Sequence, residues 1–302
     1  GETLGTLAEL IAQVVADGCD ISSLDDLMSQ IDDAATAGNH LLARQFGLEA
    51  LELLRALTRP RILFDEVHDE RNTLSWERAL TLNPEHPEWI YFGALRTALE
   101  DEFAFERNPS DPLSPELLQN YDVLVLSAPD KIFDTTELEA VVQFVANGGS
   151  LLVLGDCALG NEPINTLLLQ FGITFDRHCI FAPVPDRKGD FPVTAFADHP
   201  ATAGVPSMVT NWGGSLEVNA PAVALALTDK DAWQDTNWNG KYDLAEPTGP
   251  FTIAAASVVG RGRVVAMSDN PFQDGGFEWR SNASFMRSLL RWLTGRGMSE
   301  YP

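Results

Sequence analysis

Residues 148–156 read Gly148-Gly149-Ser150-Leu151-Leu152-Val153-Leu154-Gly155-Asp156, and the fold class follows from how this stretch is read. A glycine pair ends a helix, and the apolar run after it stops at another glycine followed by an acid. Consecutive apolar residues without polar alternation suit a strand buried on both faces, as in a parallel sheet. Asp122-Val123-Leu124-Val125-Leu126-Ser127 has the same character, and Thr136–Asn147 between the two has the period of an amphipathic helix. Parallel neighbours need a crossover, usually a helix, so strand–helix–strand is the signature of an α/β sheet. Upstream, Arg61-Ile62-Leu63-Phe64 opens the pattern and runs into Asp65-Glu66-Val67-His68-Asp69, with a helix expected near Ile90–Leu99 and a strand at Phe103-Ala104-Phe105. Downstream, Asn161–Phe171 is helical and Gly172 closes it. The last third differs. Ala222–Thr228 and Phe251–Val259 read as strands, Gly260-Arg261-Gly262 turns into Arg263–Ser268, and Asn282–Leu293 forms a final helix. The prediction is an open, mostly parallel α/β sheet flanked by helices, with an antiparallel extension.

Residues 1–58 follow another rule. Leu4, Leu7, Leu10, Ile11, Val14 and Val15 recur at helical spacing until Gly18, and Ser22-Ser23-Leu24-Asp25-Asp26 reads as a cap with first-turn acids. A third helix follows the Gly38-Asn39 turn. This segment is a helical appendage, and Thr58-Arg59-Pro60 divides it from an α/β domain over 59–302. Across the whole chain, 20 Lys+Arg stand against 44 Asp+Glu, a net charge of −24. Nucleic acid and anionic lipid both need a basic face, so neither is an expected partner. No apolar run approaches the roughly 20 residues of a membrane-spanning helix, so no membrane insertion is expected.

The most specific motif lies at 235–246, Asp235-Thr236-Asn237-Trp238-Asn239-Gly240-Lys241-Tyr242-Asp243-Leu244-Ala245-Glu246. It meets every fixed position of the EF-hand loop pattern. Calcium takes six to eight oxygens, and the spacing offers the side chains of Asp235, Asn237, Asn239 and Asp243, the Lys241 carbonyl and a bidentate Glu246. Pro247 stands where an EF-hand's second helix would continue, and a strand is expected from Phe251. The loop therefore resembles the calcium loops of dockerins and other extracellular modules, set here as an insertion between strands. A structural Ca2+ implies a secreted or cell-surface protein, where calcium is abundant.

The order strand, Ser127-Ala128-Pro129, helix, Gly148-Gly149, strand, Gly155-Asp156-Cys157 resembles the class I glutamine amidotransferase fold. In that family a nucleophilic cysteine sits in a glycine-flanked elbow. Cys157 occupies the corresponding place, with Gly160 one residue late. The family's histidine follows a late strand, but here that place reads Met267-Ser268-Asp269-Asn270-Pro271. A closer resemblance is to the non-catalytic amidotransferase-like domains of gliding-motility and intraflagellar-transport proteins. It is carried by Ile62–His68, Gly148–Asp156, Gly260–Val265, Asp269 and Asn282 with the final helix. This resemblance implies a binding or scaffolding domain, with carbohydrate or protein as the ligand and no established catalysis.

Ligands of open α/β sheets bind beyond the carboxyl ends of the strands. That rule nominates Asp65, His68, Ser127, Asp156 and Asp269 as pocket residues. The competing reading assigns these side chains to loop and helix capping. An enzymatic alternative also stands: a hydrolase using Cys157 as nucleophile with His68 as base, or a metal held by Asp65, His68 and Asp269. Against it stands the stronger reading of Cys157 as a buried, inert side chain. Trp212, Trp233, Trp238 and Trp279 fall in loop-like segments, where exposed rings would suit sugar stacking.

Overall fold

A computed structural model of the chain describes residues 7–8, 10–12, 14–15, 21–157, 162–184, 189–210 and 212–295, with the side chains of 55–57 and 162 excepted. Leu4, Gly18, Cys19 and Gly160 lie outside the described residues. The chain divides into two compact units, Gly1–Pro60 and Arg61–Pro302.

In the first unit, helices Asp25–Thr36 and His40–Leu57 are joined by a turn in which Gly38 has φ +72°. The Asn39 side chain accepts the Leu42 N–H and so caps the second helix. Leu24, Ile31, Ala50, Leu51 and Leu54 are buried between them with Leu7 and Val14. Entry into the first of these helices is a 3-10 turn over Ser22–Leu24, without the side-chain cap that Ser22-Ser23 suggested.

The second unit is built on β1 (Arg61–Asp65), β2 (Ala104–Asn108), β3 (Val123–Ser127) and β4 (Ser150–Leu154). There follow β5 (Ile173–Phe175), β6 (Cys179–Phe181), β7 (Pro192–Val193), β8 (Ala195–Phe196), β9 (Met208–Val209) and β10 (Leu216–Val218). The last four are β11 (Val223–Leu227), β12 (Trp233–Asp235), β13 (Thr252–Val259) and β14 (Gly262–Met267). An eight-stranded sheet has the order β2-β1-β3-β4-β14-β13-β11-β8. Its first five strands are parallel, in the flavodoxin-like order, and the other three are antiparallel. This is the predicted α/β fold with its antiparallel extension. Short ribbons β5–β10, β6–β12 and β7–β9 stand apart from the sheet. Among the described residues no helix is long and apolar enough to cross a membrane.

Four of the parallel strands, β1, β3, β4 and β14, feed two cores. Ile62, Phe64, Val123, Val125, Leu152, Leu154, Val265 and Met267 belong to one buried cluster. Their immediate neighbours Leu63, Leu124, Leu126, Leu151, Val153, Val264 and Ala266 belong to another. The absence of polar alternation in these strands is explained by helices covering both faces. The helix Thr135–Ala146 lies on the second core, opened by a reciprocal capping box between Asp134 and Glu137. The helix Asn282–Leu293 packs Phe285, Met286, Leu289, Leu290 and Leu293 into the first.

The β13–β14 hairpin passes close under the end of the helix Thr135–Ala146. A Cβ at Gly262 would come to 2.0 Å of the Val145 carbonyl oxygen and 2.3 Å of the Gly149 oxygen. Neither backbone group can rotate away. Gly262→Ala is expected to lower the unfolding free energy by about 1–3 kcal/mol, the usual cost of overpacking, read from the urea midpoint. An unchanged midpoint would contradict this packing.

Candidate functional site

The parallel register sets the carboxyl ends of the central strands side by side. Ser127 and Met267 each pair with Leu154, and β1 adjoins β3 through Phe64 and Val125. The predicted strand-end residues therefore come to one edge, where they separate into a buried network and an open cleft.

The buried network begins where β1 ends. His68 lies between two carboxylates, its Nδ1 2.6 Å from Asp65 Oδ2 and its Nε2 3.1 Å from Glu137 Oε2. Phe133 packs against the ring at 4.2 Å between centroids. Burial alone would pull the imidazole down, but Asp65 and Glu137 together outweigh it and raise the pKa. Both ring nitrogens then act as donors, as an imidazolium requires. Asn108 Nδ2 donates to the other Asp65 oxygen at 2.9 Å. Glu137 also accepts the N–H groups of Leu113 and Asp134, tying this network to the cap of the helix Thr135–Ala146. Glu70 is fully buried beside Asp65, and burial first, then the Asp65 charge and their hydrogen bond, push its carboxyl up to about 10. The network is thus held together by shared protons. Ligand-type atoms of Asp65, His68 and Glu70 lie within 4.8 Å of one another, so Glu70, not Asp269, is the third member of this group.

The cleft is lined by a different set of residues and has a volume of about 390 Å3. Arg71 and Asn72 enter from the segment after β1, Gly155 and Asp156 from the end of β4, and Asp269, Asn270 and Gln273 from the segment after β14. Trp89, Ile90, Asp190 and Trp212 close the walls. Trp212 is 52% exposed, with φ +61°, a conformation rare for a bulky side chain. Its ring is braced edge-on against Phe181 at 5.2 Å. It also overlies Gly189, where a Cβ would come within 2.8 Å of the indole. Trp89 is braced in turn by Trp279, 5.7 Å away. Of the other tryptophans, Trp233 is buried in β12, whereas Trp238 is 50% exposed.

The floor is a directed hydrogen-bond chain. Ser127 Oγ donates to Asn72 Oδ1 at 3.0 Å and accepts from Asn270 Nδ2 at 3.2 Å. A hydroxyl has one proton, so the amide of Asn270 must turn its nitrogen to Ser127. Ser127 thus works beneath the pocket, as a buried positioning group. Of the predicted pocket residues, Asp156 and Asp269 line the cleft, Ser127 supports it, and Asp65 and His68 belong to the buried network instead. Glu70, Glu137, Asn270 and Gln273 were not singled out in the sequence, although Glu70 sits in the acid-rich run after β1 and Asn270 follows Asp269.

The thiol mechanism requires correction. Cys157 is buried and bonded to Cys179 of β6 in a disulfide. The nucleophile in such chemistry is a thiolate, which a disulfide sulfur does not supply. His68 has also committed both ring nitrogens to carboxylates. The metal alternative changes as well, since Asp269 lines the cleft and is absent from the Asp65–His68–Glu70 group.

The loop 235–246 starts from β12, where Asp235 is buried and pairs with Cys179 of β6. Asp235 accepts the N–H groups of Asn239 (3.1 Å) and Gly240 (2.7 Å), and Gly240 has φ +68°. Glu246 returns to accept those of Thr236 (2.9 Å) and Asp243 (3.0 Å). Asn237 and Asn239 both donate to Asp243 Oδ2, at 2.6 and 2.7 Å, and hold that carboxylate below its usual range. The oxygen-bearing side chains of the motif are thereby gathered around one turn, the donor set a hard cation prefers.

An eight-stranded α/β sheet with a cleft at its strand ends defines an amidotransferase-like architecture. The chain belongs to the family described as an ABC-type uncharacterized transport system, which it matches over residues 59–256. It is similar in structure to the N-terminal domain of mmIFT52, with a TM-score of 0.61 at 18% identity, covering 77% of this chain and 97% of that one. It is also similar to the cytoplasmic protein STM3548 from Salmonella typhimurium, with a TM-score of 0.50 at 12% identity, covering 78% and 98%. Likeness at these identities shows the fold. No curated protein matches the chain.

The buried network has a pH signature. Glu70 keeps in the folded state a proton that the unfolded chain releases near 4.5, and holds it up to about 10. Its contribution is therefore complete below 4.5 and declines as pH rises toward 10. His68, also raised, acts in the same sense from 6.5 upward. One proton corresponds to at most about 1.4 kcal/mol per pH unit. Urea unfolding between pH 5.5 and 8.5 should show stability falling with pH, and Glu70→Gln, which imitates the protonated acid, should flatten the slope. Parallel slopes would contradict the shared proton.

Proposed function

We propose that this chain is a non-catalytic binding domain of a secreted or cell-surface protein, stabilised by calcium in the loop 235–246, and that its ligand is carbohydrate bound in the strand-end cleft. The observation that carries this reading is the cleft itself. Two braced indoles, Trp89 and Trp212, line it together with amides and carboxylates, while Cys157, next in sequence to Asp156, is closed in a disulfide. Flat apolar rings with directed polar groups around them suit the alternating C–H and hydroxyl surfaces of a sugar. The family's description suggests the setting, a binding accessory to a transport system. Protein is the other ligand class that the resemblance implied, but a concave cleft of this size favours a small ligand.

Calcium would be held by Asp235, Asn237, Asn239, the Lys241 carbonyl, Asp243 and Glu246. Each asparagine carries an oxygen beside the N–H group it now gives to Asp243. The ion would neutralise Asp235, Asp243 and Glu246 and fix the turn. A millimolar structural site suits the extracellular setting, and the Cys157–Cys179 bond suits an oxidising one.

Two measurements test the proposal. Thermal unfolding with calcium at a hundred times its dissociation constant should gain about 2.7 kcal/mol over unfolding in chelator, a shift of several degrees that Asp235→Ala removes. A midpoint independent of calcium would exclude the structural ion. Separately, migration through native gels cast with neutral soluble polysaccharides should be retarded for the wild type and restored in Trp212→Ala. Equal mobility in gels with and without polysaccharide would exclude the carbohydrate ligand.

A further inference from the structure

The cleft has a neighbour. A second cleft, of about 410 Å3, adjoins it, and Arg71 and Ile90 line both. The second cleft is also lined by Arg78 and Leu82 of the helix Trp76–Leu82 and by Asn83, which follows that helix. Each volume alone stands toward the low end of the roughly 300–1,000 Å3 usual for small-ligand sites, so a ligand that fills both is a longer one.

The second cleft repeats the chemistry of the first. Where the first offers the half-exposed indole of Trp212, the second offers Leu82, which is 51% exposed. Where Asn72 enters the first, Asn83 enters the second; its Oδ1 accepts the His86 N–H at 3.2 Å, and its nitrogen remains a donor. The charges around the second cleft are matched in pairs. Arg71 stands 3.5 Å from Asp130, Lys131 2.9 Å from Asp69, and Arg78 3.8 Å from the buried Glu66. A charged group on a ligand would have to break one of these pairs, whereas a hydroxyl can donate to or accept from them as they stand. The Arg71–Asp130 pair sits at the boundary between the clefts. Both of its side chains are well exposed, so the pair does little to hold Arg71 in place against a ligand that crosses there. We propose that the two clefts form one binding track, and that its ligand is a linear neutral polysaccharide crossing the Arg71–Ile90 boundary. A repeating chain presents the same hydroxyl and C–H surfaces to each cleft in turn. The proposal rests on the carbohydrate reading above and names the class of sugar.

The experiment is calorimetric titration of the full chain with the dimer and the hexamer of three neutral series, the cello-, malto- and N-acetylchito-oligosaccharides. In at least one series the hexamer should bind one-to-one and at least about tenfold more tightly than the dimer, because a chain held in the first cleft reaches the second intramolecularly. Leu82→Glu, at an exposed position that lines the second cleft and not the first, should bring the hexamer to within about twofold of the dimer and leave the dimer unchanged. Trp212→Ala, in the first cleft, should weaken both lengths. A hexamer that binds no more tightly than the dimer would overturn the track and leave the carbohydrate reading intact. A hexamer that keeps its advantage in Leu82→Glu would overturn it too, by reducing the gain to the extra registers that a longer chain offers to one cleft. No binding by either length in any series would overturn both.

Discussion

A sheet buried on both faces leaves its ends as the place for polar side chains, and this constraint organises the second unit. Four of the five parallel strands, β1, β3, β4 and β14, are apolar throughout their centres, so the groups that turn the chain, cap its helices and meet solvent collect at the strand termini. At the carboxyl edge they must satisfy one another. His68 does so by taking a carboxylate on each ring nitrogen, and Glu70 by retaining a proton beside Asp65. The Asn72–Ser127–Asn270 chain does so through neutral groups alone. The first arrangement is buried at the end of β1, whereas Asn72 and Asn270 of the second line the cleft.

The β6–β12 ribbon connects this edge to the calcium-type loop. Cys179 of β6 is bonded to Cys157, next in sequence to the cleft residue Asp156, and pairs across the ribbon with Asp235. Phe181, two residues further along β6, braces Trp212 on one side and Trp233 on the other. The cleft wall and the base of the loop therefore share one small piece of structure. A change of conformation at Asp235 has only a few covalent and ring contacts to cross before it reaches Trp212.

Legibility in the sequence followed how local each feature is. Val123–Ser127 and Ser150–Leu154 were readable because a strand covered on both faces writes a continuous apolar run. The loop 235–246 was readable because its side chains come from twelve consecutive residues. The Cys157–Cys179 bond was not, because β6 has three residues and no pattern of its own. Glu137 looks in sequence like an ordinary first-turn acid, and indeed completes the capping box; its second partner, His68, is 69 residues away. The strand-end rule brought Asp65, His68, Ser127, Asp156 and Asp269 to one edge, but it carries no information on which side of that edge each would face. The side was decided by packing of Phe133 on His68 and of Trp212 on Gly189 and Phe181, both assembled from distant segments.

The assignment of alternate strand residues to two separate cores has a consequence for how this protein can vary. Leu151 and Leu152 are bonded neighbours, yet their side chains belong to different clusters. What they share is backbone. Substitutions at such adjacent positions have no common side-chain partners, and their effects should add, whereas residues far apart in sequence but in one cluster, such as Leu152 and Phe285, can compensate for each other. The sheet thus insulates its two faces, and the helices on one side can be remodelled while the other is left as it was.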